Sequence, residues 1–187
     1  MDYKSQSLEK YLVDLSAKLP APGGGSASAL SAALGASLIS MVINFTIGKP
    51  KYAAFETDLK KTLNKSEKLR IEFLKLVDLD IVAYKSKNLR DSLNVPFMIC
   101  RLCYEGLKLC PALIKKGNVN LISDVAVAAV LLEAAFTSAY FNVEVNLKSL
   151  GDEKLAQSMR KELNLAGKNI KKVRKLTEEK VGKIIRG

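Results

Sequence analysis

The feature that most constrains the fold is a run of three glycines, Gly23 to Gly25, which follows Pro20-Ala21-Pro22 and precedes a long uncharged segment. Consecutive glycines lose backbone entropy and pack no side chain, so they suit a sharp turn or a close approach of the backbone to another group. From Ser26 to Gly48 the chain carries no charge and is rich in small residues, which predicts a buried helix capped by Ser26. The glycines then either hold an anion on free N–H groups at a helix N-terminus or form a tight corner between two helices.

The uncharged segment is also long enough to cross a bilayer. It contains five serines and an asparagine, its hydrophobicity is modest, and no aromatic belt flanks it, so we expect it to be buried in protein rather than in lipid. The N-terminus is polar and shows no secretion signal. Together with the odd number of cysteines, these features predict a reducing, cytoplasmic location and no membrane partner.

Helical periodicity recurs along almost the whole chain and predicts an all-α fold in one domain, residues 1–187. The predicted helices run from Ser7 to about Lys18, from Ser26 to about Ile47, from about Lys51 to Lys87, from a first turn that contains Pro96 to Gly117 with a bend at Pro111, from Ser123 to about Leu150, and from Asp152 to about Ile185. The two helices rich in small residues allow close backbone approach, so we expect them at the centre of an antiparallel bundle. An apolar seam that remains on the surface could form a dimer interface.

The charge balance restricts both chemistry and partners. Of the net charge of +11, +6 falls in residues 152–187, and such a basic helix can attract nucleic acid, an anionic membrane or a polyanionic small molecule. No aromatic residue interleaves with those lysines, which argues against single-strand binding. The chain has no histidine, so acid–base chemistry falls to Asp, Glu, Lys, Tyr or Cys. Cys100, Cys103 and Cys110 have no histidine to complete a metal site, and we interpret them as small core residues.

Two helical segments place polar side chains on a common face. Asp124 and Asn142 are 18 residues apart, which is five whole turns, and Ser138 and Asn146 lie one turn either side of Asn142. This stripe either joins helices to each other or lines a polar pocket. Asp124 could instead be a first-turn carboxylate that the helix dipole favours. In the third predicted helix, Asp80 and Tyr84 are four residues apart and face the same way.

Taken in order, these motifs resemble the cyclodeaminase/cyclohydrolase family, which forms the C-terminal half of formiminotransferase-cyclodeaminase. The similar elements are Pro20-Ala21-Pro22-Gly23-Gly24-Gly25-Ser26, Gly48-Lys49-Pro50-Lys51-Tyr52, Leu76 to Tyr84, Asn118 to Asn120, Ser123-Asp124 and Asn142 to Leu147. Each motif is short, but their order and distances agree over about residues 7–150. The segment from Lys85 to Pro96 is shorter than the family's loop, which puts substrate choice in question.

The resemblance implies an all-helical homodimer that acts on one-carbon tetrahydrofolates, with no cofactor beyond that substrate. The expected reaction converts 5-formiminotetrahydrofolate to 5,10-methenyltetrahydrofolate and ammonia, or alternatively hydrolyses the methenyl compound to 10-formyltetrahydrofolate. Asp80 and Asp124 are the predicted catalytic groups, with Lys51 and Tyr84 as secondary candidates. The residues expected to bind substrate are Pro22, Gly23, Gly24, Gly25, Ser26, Asn118, Asn120, Asn142 and Asn146. The basic surface suits a polyglutamate tail on the folate.

Two other classes of protein are compatible with the sequence. One is a non-enzymatic nucleic-acid binder that uses residues 152–187 and loses affinity steeply with salt. It explains neither the glycine run nor the polar stripe, so we expect no nucleic-acid partner. The other is a dimeric scaffold that has the fold without the activity, which would bind folate without turnover.

Overall fold

A computed structural model describes residues 2–187 and confirms the all-α fold class. The helices are α1 (Leu8–Ser16), α2 (Gly24–Asn44), α3 (Glu56–Ser86), α4 (Leu89–Leu107), α5 (Cys110–Lys116), α6 (Ile122–Leu150) and α7 (Glu153–Arg186). Short 3-10 turns occur at Tyr3–Ser5, Pro50–Phe55 and Val119–Leu121. Between residues 2 and 187 the chain forms no β-strand.

The two small-residue helices, α2 and α6, lie antiparallel at the centre of the bundle. Gly24, at the start of α2, faces Asn142 near the end of α6, and a Cβ built at Gly35 would be 2.9 Å from a Leu132 side-chain atom. The absence of a side chain at Gly35 therefore lets the two backbones approach each other closely. α3 packs on α2, and α4 and α7 pack on α6. The predicted central position of both helices is confirmed.

Two segments, α2 and Val119–Leu150, are long and apolar enough to cross a membrane by length and composition alone. In α2 the small apolar residues Ala29, Ala32, Ala33 and Ala36 are fully or almost fully buried against neighbouring helices. Packing inside the protein therefore accounts for the composition of α2. Only 39% of the apolar window in the second segment is buried, which leaves an apolar face of α6 on the surface.

Several predicted helix ends are confirmed by side-chain caps. Ser7 Oγ accepts a hydrogen bond from the Lys10 N–H at the start of α1, and the Asp152 carboxylate accepts one from Leu155 at the start of α7. These caps satisfy N–H groups that have no partner within the helix. The three cysteines, Cys100, Cys103 and Cys110, are fully buried, as expected of small core residues.

Three predicted helix starts are wrong. α2 begins at Gly24 rather than at a Ser26 cap, because the Ser26 N–H is taken by Asp80 of another helix. Pro96 lies inside α4 rather than in its first turn, since the Asn88 side chain caps that helix eight residues earlier. Ser123 lies within α6, which continues directly from the 3-10 turn before it.

Candidate functional site

A cavity of about 250 Å³ opens where the N-terminus of α2 meets the C-terminal halves of α3 and α6. Its lining combines loop backbone, one carboxyl group and two amides: Pro20, Ala21, Gly23, Gly24, Gly25, Asp80, Tyr84, Ser92, Asn142, Val145 and Asn146. A groove of about 540 Å³ between α4 and α7 is larger, but its Arg101 and Glu162 are paired with each other at 2.9 Å. The smaller cavity is the better candidate site because its polar groups converge.

Asp80 forms the charged part of this cavity and rests against the glycine run. Its Oδ2 accepts a hydrogen bond of 2.9 Å from the Ser26 N–H. A Cβ built on Gly25 would be 2.1 Å from Asp80 Oδ1, so only glycine allows the carboxyl group to approach α2 this closely. The close approach that the glycine run predicted is thus to a side chain of the same protein, and Asp80 acts as a tertiary cap for α2.

The environment of Asp80 makes its ionisation less favourable than in water. Burial raises the pKa of the Asp80 carboxyl group, while the hydrogen bond from the Ser26 N–H lowers it, and burial is the larger effect. A raised pKa makes the Asp80 carboxylate a stronger base, and the protonated group can return the proton. Asp80 is therefore suited to proton transfer at the cavity.

Asn146 is held in the cavity by a gap in the hydrogen bonds of α4. Pro96 has no N–H to donate to the carbonyl of Ser92, four residues before it. The Asn146 Nδ2 group takes that position and donates to the Ser92 carbonyl at 2.6 Å. This hydrogen bond fixes the orientation of the Asn146 amide, and the Oδ1 atom is then available to accept a hydrogen bond.

Asn142 lies one turn earlier on α6 and presents a similar acceptor. Its Nδ2 group donates to the Ser138 carbonyl at 3.0 Å, and a Cβ on Gly24 would be 3.5 Å from the same nitrogen. Tyr84 lines the mouth of the cavity and is 58% exposed, so its ring is accessible to a ligand. Two amide oxygens, a carboxyl group and the first N–H groups of α2 therefore surround one small volume.

Not all of the predicted site residues meet in this cavity. Gly23, Gly24, Gly25, Asp80, Tyr84, Asn142 and Asn146 line it, whereas Pro22 and Ser26 are buried behind it. Lys51, Asn118, Asn120 and Asp124 lie near the other end of α2, whose 21 residues span about 30 Å. One subunit thus carries two groups of predicted site residues at opposite ends of its central helices.

The second group is ordered by backbone contacts around Asn118. The Asn118 N–H donates to Thr46 Oγ1 at 2.9 Å, and its Nδ2 donates to the Phe45 carbonyl at 3.2 Å. The Val119 N–H donates to the Tyr52 hydroxyl at 3.1 Å, which fixes the 3-10 turn that carries Lys51. Asn120 is exposed and Asp124 is partly exposed, so this end of the subunit presents polar groups to the solvent.

Sequence reasoning missed Pro20, Ala21, Ser92 and Val145, which complete the lining. Pro20 and Ala21 are part of the glycine motif and could have been included with it. Ser92 contributes through its backbone carbonyl, and that role depends on Pro96 being inside a helix. Pro96, four residues later, is the signal for this free carbonyl, and it could be used only once Pro96 was known to lie inside the helix.

Comparisons with known proteins agree in family and fold. The family model described as formiminotransferase-cyclodeaminase matches residues 7–87 and 83–165. A methenyltetrahydrofolate cyclohydrolase of Methylorubrum extorquens is 38% identical, with 85% of this chain and 88% of that protein covered. The formimidoyltransferase-cyclodeaminase of Rattus norvegicus is 28% identical, and the match covers 82% of this chain but only 33% of that protein.

A solved structure supports the same assignment. The crystal structure of a formiminotetrahydrofolate cyclodeaminase from Thermotoga maritima superposes with a TM-score of 0.92 at 26% identity, and it covers 97% of this chain and 98% of that one. The match extends over almost the whole of both chains, so the bundle and its connections are shared.

Proposed function

The chain belongs to the formiminotransferase-cyclodeaminase family and is an enzyme of folate one-carbon metabolism. We propose that it hydrolyses 5,10-methenyltetrahydrofolate to 10-formyltetrahydrofolate. The relative at 38% identity, which the match covers over most of its length, is named for this reaction. The observation that carries the proposal is the placement of Asp80, a carboxyl group with a raised pKa between the helix N-terminus and two amide acceptors.

The proposed reaction assigns two proton transfers to Asp80. The carboxylate accepts a proton from the water that attacks the cationic methenyl carbon, which gives a neutral tetrahedral centre. The bond from that carbon to N5 then breaks as Asp80 returns the proton to N5. The hydroxyl proton passes to solvent as the formyl group forms on N10. Before the attack, the carboxylate also stabilises the positive charge of the methenyl group.

The amide oxygens of Asn142 and Asn146 are suited to the N–H groups of the pterin edge. The first N–H groups of α2 can donate hydrogen bonds to a carbonyl or an anionic group of the folate. We propose that no cofactor takes part beyond the folate itself and that the reaction takes place in the cytoplasm.

A second candidate reaction is the cyclodeamination of 5-formiminotetrahydrofolate, and the likeness to the Thermotoga maritima cyclodeaminase favours it. In that reaction N10 attacks the carbon of the protonated formimino group, and Asp80 transfers the proton from N10 to the departing amine, which leaves as ammonia. The same residue and position serve both reactions because each passes through a tetrahedral carbon between N5 and N10.

Absorbance at the band of 5,10-methenyltetrahydrofolate separates the two reactions. Loss of the band when the protein is given the methenyl compound, at a rate proportional to protein concentration, supports the hydrolase. A rise of the band with the formimino compound supports the deaminase. Binding of either folate without turnover would contradict both proposals and identify a scaffold.

We also propose that the enzyme is a homodimer built on α6. Exposed apolar side chains form a row along this helix, and Leu34 of α2, which packs on α6, is also 53% exposed. Val127, Val130, Phe141 and Val145 are between 41% and 71% exposed. Monomeric proteins rarely expose so continuous an apolar surface, and a second copy of this chain offers the matching one.

In the proposed dimer the α6 helices of the two subunits pack antiparallel about a two-fold axis beside Ala134. This arrangement brings together site residues that lie far apart within one subunit. Asp124 lies ten residues before Ala134 and Asn142 eight residues after it, so the two ends of α6 meet across such an axis. Asp124 of the partner subunit would then lie beside the cavity that contains Asp80. The cavity of one subunit, at about 250 Å³, is smaller than most small-molecule sites.

Sedimentation equilibrium tests the dimer. The unmodified protein is expected to sediment at twice its chain mass of 20.4 kDa. Val130→Asp places a charge in the proposed contact and is expected to give a folded monomer. A monomeric unmodified protein with full turnover would contradict the shared site.

A further inference from the structure

Tyr11 lies outside the cavity but is linked to its reactive group through Ser26. The Tyr11 side chain is 4% exposed, and its hydroxyl is 3.1 Å from Ser26 Oγ. The backbone N–H of the same serine donates to Asp80 Oδ2 at 2.9 Å. The hydroxyl, the serine and the carboxyl group therefore form one continuous chain of contacts from α1 to α3.

Two serines of α2 bond within the helix, whereas Ser26 contacts another element, as Ser31 and Ser40 also do. Ser28 Oγ donates to the Gly24 carbonyl at 2.7 Å and Ser37 Oγ to the Ala33 carbonyl at 2.8 Å, each four residues back. This local bond is the usual alternative for a serine inside a helix. Ser26 Oγ instead meets Tyr11, so the tyrosine hydroxyl fixes the serine side chain in the first turn of α2.

α1 depends on few contacts for its position. Tyr11 and Asp14 are its buried residues, while Leu8 and Leu12 are at least half exposed. Leu8 and Leu12 are thus largely on the surface, whereas Tyr11 and Asp14 pack against the bundle. Because α1 leads directly into Pro20 and Ala21 of the cavity wall, the contact of Tyr11 with Ser26 also anchors that wall.

We propose that Tyr11 is a positioning residue for Asp80, which it serves by holding Ser26 so that its N–H points at the carboxyl group. The inference rests on the proposed function, in which Asp80 transfers the proton. The titratable groups around Asp80 are Tyr11 from α1 and Tyr84 from its own helix, while α2 presents backbone N–H groups and α6 presents amides. Burial raises the pKa of Tyr11, the hydrogen bond with Ser26 lowers it, and the neighbouring charge of Asp80 raises it again by a smaller amount.

Tyr11→Phe tests this role, with Tyr3→Phe as the matched control. Both tyrosines are buried, and their rings contact each other at 5.4 Å between centroids. The Tyr3 hydroxyl donates to Asp14 at 2.6 Å and has no contact with Ser26. Tyr3→Phe therefore removes a buried hydroxyl of the same kind and reports the effect of loosening α1 alone.

The expected result is a fall in kcat of about three- to tenfold in Tyr11→Phe with little change in KM, which corresponds to one hydrogen bond. The acid limb of the pH–rate profile should move to higher pH, because a weaker Ser26 N–H contact no longer lowers the pKa of Asp80. Ser26→Ala should reproduce the fall, and the double variant should be no slower than either single variant. Equal shifts in Tyr3→Phe would overturn the proposal, as would an unchanged profile in Tyr11→Phe.

A titration followed by carbon-13 NMR of the aspartate carboxyl groups gives an answer that does not depend on turnover. The Asp80 signal is assigned as the one lost in Asp80→Asn. Its pKa is expected to rise in Tyr11→Phe and to stay unchanged in Tyr3→Phe. If the protein turns over no folate while this pKa shift occurs, the proposed function fails but the positioning contact stands. If the pKa is the same in all three proteins, the positioning role fails even where folate is converted.

Discussion

Asp80 and Gly25 are in such close contact that a methyl group on Gly25 would lie 2.1 Å from the Asp80 Oδ1 atom. The glycine is therefore required by a carboxyl group 55 positions further along the chain rather than by the shape of its own backbone. Its position in α2 leaves the Ser26 N–H open to the same carboxyl group. The contact between Asp80 and Gly25 therefore joins the glycine run to the segment of α3 that carries Asp80 and Tyr84.

Gly25→Ala is expected to displace Asp80 and to abolish most of the turnover. The added methyl group forces the carboxyl group away from Ser26, which removes a hydrogen bond and costs about 1–3 kcal/mol in the free energy of unfolding. Gly24→Ala is the control for stability, since its methyl group would be in ordinary contact with Asn142 at 3.5 Å. Urea unfolding of both variants checks this, and equal stability of the two would refute the steric argument.

Asp80→Asn is expected to lower kcat by about 10²- to 10⁴-fold and yet to stabilise the protein at neutral pH. Since burial raises the pKa of Asp80 in the folded state, the folded state holds its proton more tightly than the unfolded chain does. Protonation of Asp80 therefore stabilises the folded state at pH values below the pKa that Asp80 has in the unfolded chain. This stabilisation is lost as the pH rises through the higher pKa that Asp80 has in the folded protein. Asparagine removes the buried charge and still accepts the Ser26 N–H through its amide oxygen.

The measurement is the free energy of unfolding of Asp80→Asn relative to the unmodified protein between pH 3 and pH 8. The difference should grow in favour of the variant as the pH rises above about 3.9, the ordinary pKa of an aspartate in an unfolded chain. A difference that does not vary with pH would mean that Asp80 titrates alike in both states, which contradicts the proposed proton-transfer role.

Asn146→Ala is expected to weaken folate binding and to leave the Ser92 carbonyl without its partner. Pro96 cannot supply an N–H to that carbonyl, so the loss should destabilise the protein by about 1–3 kcal/mol. Pro96→Ala restores the missing N–H. It should therefore stabilise the Asn146→Ala protein more than it stabilises the unmodified one, without restoring folate affinity.

Thermal unfolding of the four proteins in this double-mutant cycle measures the coupling between the two positions. Additive effects on stability would show that the Ser92 carbonyl does not link Pro96 to Asn146. Restored folate binding in the double variant would show that the amide oxygen of Asn146 has no part in the site.

The fold could be predicted because its determinants are local. Ser7 and Asp152 cap helices with their own side chains, and the small-residue pattern identified α2 and α6 as central. Asp80 and Tyr84 were placed on one face because four residues make about one helical turn. Where a contact came from another element, prediction failed: the Ser26 cap was wrong because Asp80 of α3 supplies that function.

The division of the site into two groups could not be predicted from spacing. Asp124 and Asn142 share one azimuth on α6, as their separation of five turns requires, but those turns also place them about 27 Å apart along the helix. Both side chains are partly exposed on α6. Whether one cavity contains residues from both ends of α6 depends on how a second subunit packs against this helix. The residue pattern of a single chain does not determine that packing.

The shared site makes a quantitative prediction for mixed dimers of Asp80→Asn and Asp124→Asn. If each cavity uses Asp80 of one subunit and Asp124 of the partner subunit, each variant alone is inactive in both cavities. In a mixed dimer one cavity carries both substitutions and the other carries neither. Random exchange of equal amounts yields mixed dimers as half of the total, so the mixture should regain about a quarter of the unmodified activity.

Turnover of the methenyl compound after joint unfolding and refolding of the two variants measures this recovery. Refolding each variant separately and combining them without exchange is the control, and it should show no recovery. Asp80→Asn exchanged with the unmodified protein gives a second reference, since about half of the cavities then remain intact whether or not the site is shared. Activity that stays at the sum of the two residual values after exchange, with dimers still present, would place Asp80 and Asp124 in separate functions. Full turnover by Asp124→Asn alone would remove Asp124 from the catalytic groups and leave Asp80 as the sole carboxyl group of the reaction.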